Sequence, residues 1–202
     1  MLQIKELTNS IFTSKTYILY RKGDEKSWLV DIGDVQPVVT FLKENKLALE
    51  GVFLTHAHFD HIYGLPELMN YYPQCKVYVN DYAKEALASD KLNMSRYHES
   101  PIRYNRDNVV IVHEGDEMEL FEGEPKMHFY ETPGHNPGCL TMIIGDLIFT
   151  GDAYIPGVGV TCQVPHSNKE QAKQSMERIM RLAKGKRILA GHRVDINIDN
   201  RL

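Results

Sequence analysis

Two hydrophobic rhythms divide the chain. In the first half, short apolar runs alternate with stretches of helical spacing; in the second, apolar runs are separated by Gly-Asp turns. Residues 12–20 and 27–31 read as paired strands joined by the turn at Lys22-Gly23-Asp24. Asp34 stands where a helix cap belongs, Pro37 fits the first turn, and Val38, Phe41 and Leu42 carry the helix to about Lys46. Residues 51–55 are apolar without alternation, the pattern of a strand buried on both faces. Helices are expected over 65–70 and 81–87, with a strand at 76–79 between them. Strands follow at 109–112, 117–121, 126–131, 140–144 and 147–150, and a last one at 187–190 ends on Gly191-His192. His113 and His128 are expected within or at the edge of strands, without a role.

The clearest helix covers 168–183. Ser167 and Glu170 have capping-box spacing, and Ala172, Met176, Ile179, Met180 and Ala183 form one apolar stripe that reads as core contact. Residues 88–108 break the rhythm, with Asn93, Ser95, Arg96, Tyr97, His98 and Pro101 among them. An irregular stretch of about 20 residues inside a compact domain is uncommon and usually functional, so it is expected to cover a site.

Composition narrows the class. With 202 residues, 43% hydrophobic and 25% charged, residues 1–202 are expected to form a single globular domain. Lys plus Arg number 23 against 27 Asp plus Glu, a net charge of −4, which argues against nucleic acid as a partner. Cys75, Cys139 and Cys162 are too few for a disulfide framework, and free thiols suit a reducing compartment. The N-terminus lacks a secretory pattern and no run is long enough to span a membrane, so the expected location is the cytoplasm.

Chemistry concentrates in Thr55-His56-Ala57-His58-Phe59-Asp60-His61, directly after the buried strand. Four potential metal ligands, His56, His58, Asp60 and His61, fall within six residues. Imidazole with carboxylate suits zinc, iron or manganese. Three further candidates, His135, Asp152 and His192, each close an apolar run and each follow a glycine, which permits a sharp turn and close approach. Each is weak evidence by itself; together with the histidine cluster they form a specific signal. Asp31, at the end of its strand, reads either as a carboxylate supporting the ligand loop or as a plain turn residue.

These motifs resemble those of the metallo-β-lactamase-fold hydrolases, and within them the glyoxalase II-like (hydroxyacylglutathione hydrolase-like) branch. The resemblance rests on THAHFDH at 55–61, TPGHNPG at 132–138, FTGD at 149–152 and AGH at 190–192, with WLVDIGD at 28–34 and LNMSRY at 92–97 in support. It implies an α/β fold, a four-layer αββα sandwich with the site at one edge between the sheets. It further implies two divalent cations, zinc first, with iron or manganese as alternatives. His56, His58 and His135 would hold one, Asp60, His61 and His192 the other, and Asp152 would bridge them. A shared water, acidified by both cations, would then attack a carbonyl carbon, with Asp60 orienting it.

Two departures weaken a glutathione-specific reading. The branch carries a C-terminal helical region that helps bind glutathione, whereas this sequence ends ten residues after His192, and residues 153–160 lack the expected Arg or Lys. The expected substrate is therefore a small thioester, ester or lactone. Arg96, Tyr97 and Tyr154 are the candidate substrate contacts, and His166 is close enough in sequence to the same loop to line the pocket. Cys139 reads as a buried small residue, and Cys162 sits in the loop below the site. Two alternatives belong to the same fold: a mononuclear iron persulfide dioxygenase, and an RNA-processing nuclease, which the acidic balance disfavours.

Overall fold

The computed structural model describes residues 1–193. Two sheets face each other. The first has six strands in sequential order: β1 (Leu2–Thr8), β2 (Lys15–Arg21), β3 (Lys26–Val30), β4 (Ala48–Phe53), β5 (Lys76–Val79) and β6 (Val109–Ile111). β1–β2–β3 pair antiparallel and β3 to β6 parallel. The second sheet has the order β11 (Arg187–Ala190), β10 (Leu147–Gly151), β9 (Leu140–Ile144), β8 (Met127–Glu131), β7 (Glu117–Met118). Only its β10–β11 pair is parallel.

The period-2 rule shows why four layers form. In β3, Trp28 and Val30 point into the space between the sheets, where they meet Phe129, Met142 and Phe149, while Leu29 points the other way. Leu29, Ile18, Val52 and Val77 pack on helices α1 (Val35–Glu44), α3 (Leu65–Tyr71) and α4 (Asp81–Leu87). On the far side, Ile143 and Ile148 meet Ile179 of α5 (Lys169–Leu182). Three apolar interfaces separate four layers, helix–sheet–sheet–helix, as the resemblance implies. A one-turn helix, α2 (Phe59–Ile62), sits in the histidine-rich loop after β4.

Local details differ from the sequence reading. β1 has no counterpart in it, because Lys5 and Glu6 make this edge strand look like a polar leader. Asp34 makes no side-chain cap on α1; its carboxylate accepts instead from Ser10 and from Tyr63. That helix stops at Glu44, since Lys46 turns left-handed at φ 53° and the Leu47 N–H closes on the Leu42 carbonyl. α5 is capped by Asn168, whose Oδ1 accepts from the N–H groups of Glu170 and Gln171 at 3.0 and 3.1 Å, so Ser167 is not the cap. Its stripe is narrower than expected: Ala172, Ser175 and Ile179 are buried but Met180 is exposed. His113 lies just beyond β6, exposed, while His128 is within β8.

Residues 88–108 are irregular yet packed. Asn93 and Ser95 are fully buried and bond to Ile102, and Ile102 and Tyr104 join the helix-side core. No helix among the described residues is long and apolar enough to cross a membrane.

Candidate metal centre

All seven candidate donors come from the same edge of the two sheets, at or just beyond the ends of β4, β8, β10 and β11. The sheets are tied together there: Leu140 N–H bonds to the Thr55 carbonyl at 2.7 Å, and Lys15 N–H to the Gly191 carbonyl at 2.8 Å. Close approach needs glycine ahead of His135, Asp152 and His192; at Gly151, with φ +48°, a Cβ would meet the Thr55 side chain at 2.6 Å. Gly134 has φ +140°, and a Cβ on it would land on the Ala172 backbone of α5; a Cβ on Gly191 would land on Asp152 Oδ1.

The donors form three overlapping groups, each with its ligand atoms within 4.8 Å of one another: His56, His58 and His135; His56, His61 and Asp152; Asp60, His61 and His192. His58 Nδ1 lies 3.0 Å from His135 Nε2, and His61 Nε2 lies 3.4 Å from His192 Nε2. Asp152 stands between the clusters, with Oδ1 3.5 Å from His61 Nε2 and Oδ2 3.5 Å from His135 Nε2 and 3.2 Å from His192 Nε2. Asp60 Oδ2 reaches His192 Nε2 at 3.2 Å and His61 Nε2 at 3.4 Å.

The far side of most rings is occupied by an orienting group. His61 Nδ1 donates to Asp31 at 2.9 Å, His135 Nδ1 to the Thr161 carbonyl at 2.7 Å and His192 Nδ1 to the Phe12 carbonyl at 2.8 Å. The case of His56 follows by elimination. Thr55 donates its hydroxyl proton to Asp31 at 2.7 Å, so toward His56 Nδ1, 3.2 Å away, its oxygen can only accept. That places the proton on Nδ1 and leaves Nε2 bare. His56 Nε2 and Asp152 Oδ1 are both buried with no hydrogen-bond partner. Orphaned acceptors of this kind, on rings fixed from behind by carbonyl and carboxylate, are what a cation-binding set requires.

Charge follows the same division. Burial, reinforced by neighbouring imidazoles, pushes His56 far down and His58 to about 3. Burial also opposes charge on His61 and His192, but Asp60 and Asp152 outweigh it, raising His61 strongly and His192 to about 10. Both carboxylates lie below their usual range despite burial, held there chiefly by His61 and His192.

Asp31 is a supporting carboxylate and not a simple turn residue, accepting from Thr55 N–H, Thr55 Oγ1 and His61. Other supports escaped the sequence reading. Asn136 Oδ1 accepts from Gly138 N–H at 2.8 Å while its Nδ2 lies 3.0 Å from His58 Nε2. Ser14 Oγ donates to the Asp60 carbonyl at 2.7 Å, and Asn9 bonds to Ser14 in turn. Asn136 lies within the TPGHNPG motif, beside His135, whereas Asn9 and Ser14 stand far from the donors in sequence and only the fold reveals them.

None of the expected substrate contacts, Arg96, Tyr97 and Tyr154, belongs to the cleft lining. Arg96 is outside the lining and pairs with Asp90 at 2.9 Å, which also binds Arg103 at 2.8 Å. Tyr97 is 73% exposed and outside the cleft lining. Tyr154 packs against the core beneath α5, and His166 is also outside the lining. From residues 88–108 it is Met94 and His98 that reach the cleft, so the segment borders the site through other side chains than expected. Cys139 is buried, with its thiol pushed above the ordinary range by that burial, and Cys162 lines a separate hollow against α5.

Comparison with known proteins agrees with this architecture. A family model described as the metallo-beta-lactamase superfamily matches residues 12–192. A hydroxyacylglutathione hydrolase of Vibrio campbellii is 30% identical over 193 residues, 95% of this chain and 66% of that protein. A protein of Dictyostelium discoideum named glyoxylase B2 is 28% identical over 162 residues, 79% of this chain and 54% of its own length. The chain thus spans between about half and two-thirds of the curated relatives it matches. Among solved structures, the BLEG-1 B3 metallo-beta-lactamase superposes with a TM-score of 0.83 at 23% identity, covering 95% of this chain and 92% of that one.

Proposed function

The chain belongs to the metallo-β-lactamase superfamily, and from that premise we propose that it is a two-metal hydrolase of small thioesters, esters or lactones. The observation that carries the reading is the pair of buried acceptors that make no hydrogen bond, His56 Nε2 and Asp152 Oδ1, inside a set of seven donors. His56, His58 and His135 would hold one cation, Asp60, His61 and His192 the other, with Asp152 serving both. Divalent cations bound there would supply Lewis acidity, lowering the pKa of a coordinated water and polarising a carbonyl oxygen.

The chain's own contribution is preorganisation. The hydroxyl of Thr55, the carboxylate of Asp31 and the carbonyls of Phe12 and Thr161 hold four imidazoles with Nε2 inward, so no ring has to reorient when a ligand arrives. Asp60 lines the cleft and would orient the attacking water. A Ser or Cys nucleophile is not required, and Cys139, buried with a raised thiol pKa, is not disposed to act as one.

The second reading, a mononuclear iron persulfide dioxygenase, would leave the Asp60–His61–His192 group without a task. Elemental analysis of protein purified without chelator, paired with a thioester, ester and lactone panel, tests the proposal. Close to two divalent ions per chain and turnover on the panel are expected. One iron per chain, with oxygen uptake on a persulfide and no hydrolysis, would replace this reading with the other. The hydroxyacylglutathione hydrolase named among the relatives makes a glutathione thioester a necessary member of the panel.

A further inference from the structure

The cleft over the donors has a volume of about 410 Å³, toward the low end for small-molecule sites. Beyond the candidate ligands its wall is mainly apolar, with Phe12, Phe59, Met94, His98, Ile155 and Val158 as the large side chains. Among the described residues, Arg193 is the only charged side chain of the lining outside the ligand set. Phe59 stacks on His98 with ring centroids 3.8 Å apart and planes at 16°, and Phe12 meets His98 edge-on at 6.2 Å. Phe12 is 65% and Val158 55% exposed, two large apolar side chains held at the mouth of the cleft.

Three of the six non-glycine residues with positive φ among the described residues belong to the same wall. Phe12, Thr13 and Met94 have φ of 51°, 55° and 65°, a region costly for any residue with a Cβ. All three line the cleft. Such strain persists only where the surroundings impose it, and it concentrates at functional sites. Here the Phe12 carbonyl accepts from His192 Nδ1 and the Thr13 carbonyl from Arg193 N–H, so the turn is anchored to the strand end that carries His192. The turn that orients a candidate ligand therefore also sets a phenyl ring at the cleft mouth.

We propose that this wall selects an aliphatic acyl group of medium length, with Phe12, Met94 and Val158 as its specificity-determining residues. The proposal rests on the hydrolase reading for the bond that is cleaved, while the wall itself can be tested by binding. An apolar lining contiguous with the donors places an acyl chain beside them, and burial of each methylene favours a longer chain by roughly two- to fourfold.

Two measurements on metal-assayed protein separate the wall from the reaction. Calorimetry with non-hydrolysable S-alkyl thioethers, methyl to hexyl on one thiol, reads binding. Kinetics with acetyl to octanoyl thioesters, and with lactoyl-glutathione as the polar comparison, reads hydrolysis. The expected Kd falls roughly two- to fourfold per added methylene, and kcat/KM rises in parallel. Val158→Ser should flatten that slope with metal content unchanged, and Phe12→Asn, which tolerates the left-handed turn, should flatten it as well. Tightening with chain length but no hydrolysis would keep the wall and remove the hydrolase reading. Hydrolysis that ignores chain length, or that favours lactoyl-glutathione over hexanoyl thioester, would keep the reading and overturn the wall. A slope untouched by both substitutions would also overturn it.

Discussion

Asp31 and His61, thirty positions apart, meet at 2.9 Å with both side chains essentially out of water. Asp31 sits in a left-handed turn at φ 56° after β3, and the same carboxylate accepts from Thr55 at the start of the histidine-rich loop. One residue of the neighbouring parallel strand thus fixes both the entry of that loop and the ring direction of one of its histidines. Asp31→Asn, which tolerates the backbone and keeps the volume, should lower affinity for the cation at Asp60, His61 and His192 by roughly 10- to 100-fold. Metal titration followed by calorimetry should show this site weakened more than the one at His56, His58 and His135, which Asp31 reaches only through Thr55. Equal, wild-type affinity at both sites would mean that Asp31 only shapes the turn.

Asp152 carries the largest expected effect of a single substitution. Its two oxygens face His61 on one side and His135 and His192 on the other. Asp152→Ala removes a donor from both clusters, so metal content should drop below two per chain and turnover by about two orders of magnitude or more. Full occupancy by elemental analysis, with a normal rate, would defeat the assignment of Asp152 to both cations.

The seven candidate donors were legible because each stands at or close to a strand terminus, where an apolar run stops abruptly at a polar residue. The long helix and the buried parallel strand were legible for a similar reason: Ile179 belongs to a helical stripe and Val52 and Phe53 to an unbroken apolar run, patterns that burial enforces. What escaped is what depends on direction. Sequence position brings Arg96 and Tyr97 near the cleft, but an irregular segment has no period to say which side chain faces inward. The Asp90–Arg96 and Asp90–Arg103 pairs draw that segment together, and Met94 and His98 take the cleft side. The left-handed turns at Phe12 and Met94 also lack a signal, since neither residue type favours that conformation.

Two glycines next to ligands should fail in different ways. Gly134→Ala combines a positive φ with a collision against the backbone of α5, neither of which a side-chain rotation relieves. A loss of about 2 kcal/mol or more in urea unfolding is expected. Gly191→Ala drives a methyl group chiefly onto Asp152 Oδ1, with the Gly151 backbone at 2.9 Å and the His61 ring at 3.0 Å, and without a left-handed φ. Its signature should be a loss of metal content out of proportion to the smaller loss of stability of the metal-free protein. If the two variants lose stability and metal in the same proportion, the glycines serve only general packing.

Far from the site, Arg178 of α5 grips Glu114 through two hydrogen bonds at 2.6 and 3.1 Å, and Glu114 also accepts from Glu131 N–H at 2.7 Å. Partial burial opposes ionisation of Glu114, but the bonds from Arg178 and Glu131 outweigh it, so its pKa is lowered. A carboxylate whose folded pKa lies below its unfolded value contributes stability that is present above the unfolded pKa, about 4.3 for Glu. That contribution disappears as pH falls through the folded value. Both side chains are more than a third exposed, at 37% and 43%, so solvent screening limits the pair to under about 1 kcal/mol. Arg178→Ala should therefore destabilise the protein slightly between pH 6 and 7 by urea titration. The gap from wild type should close as the pH is lowered from about 4.3 through the lower folded value. Because Arg178 also bonds to the Glu131 carbonyl at 3.2 Å and lies over the Tyr130 ring at 5.3 Å, part of the loss could be independent of pH. Glu114→Gln isolates the ionic part: it keeps the shape, removes the charge, and should show the same closing gap. A difference that stays constant from pH 3 to 7 in both variants would assign the contact to packing and not to charge.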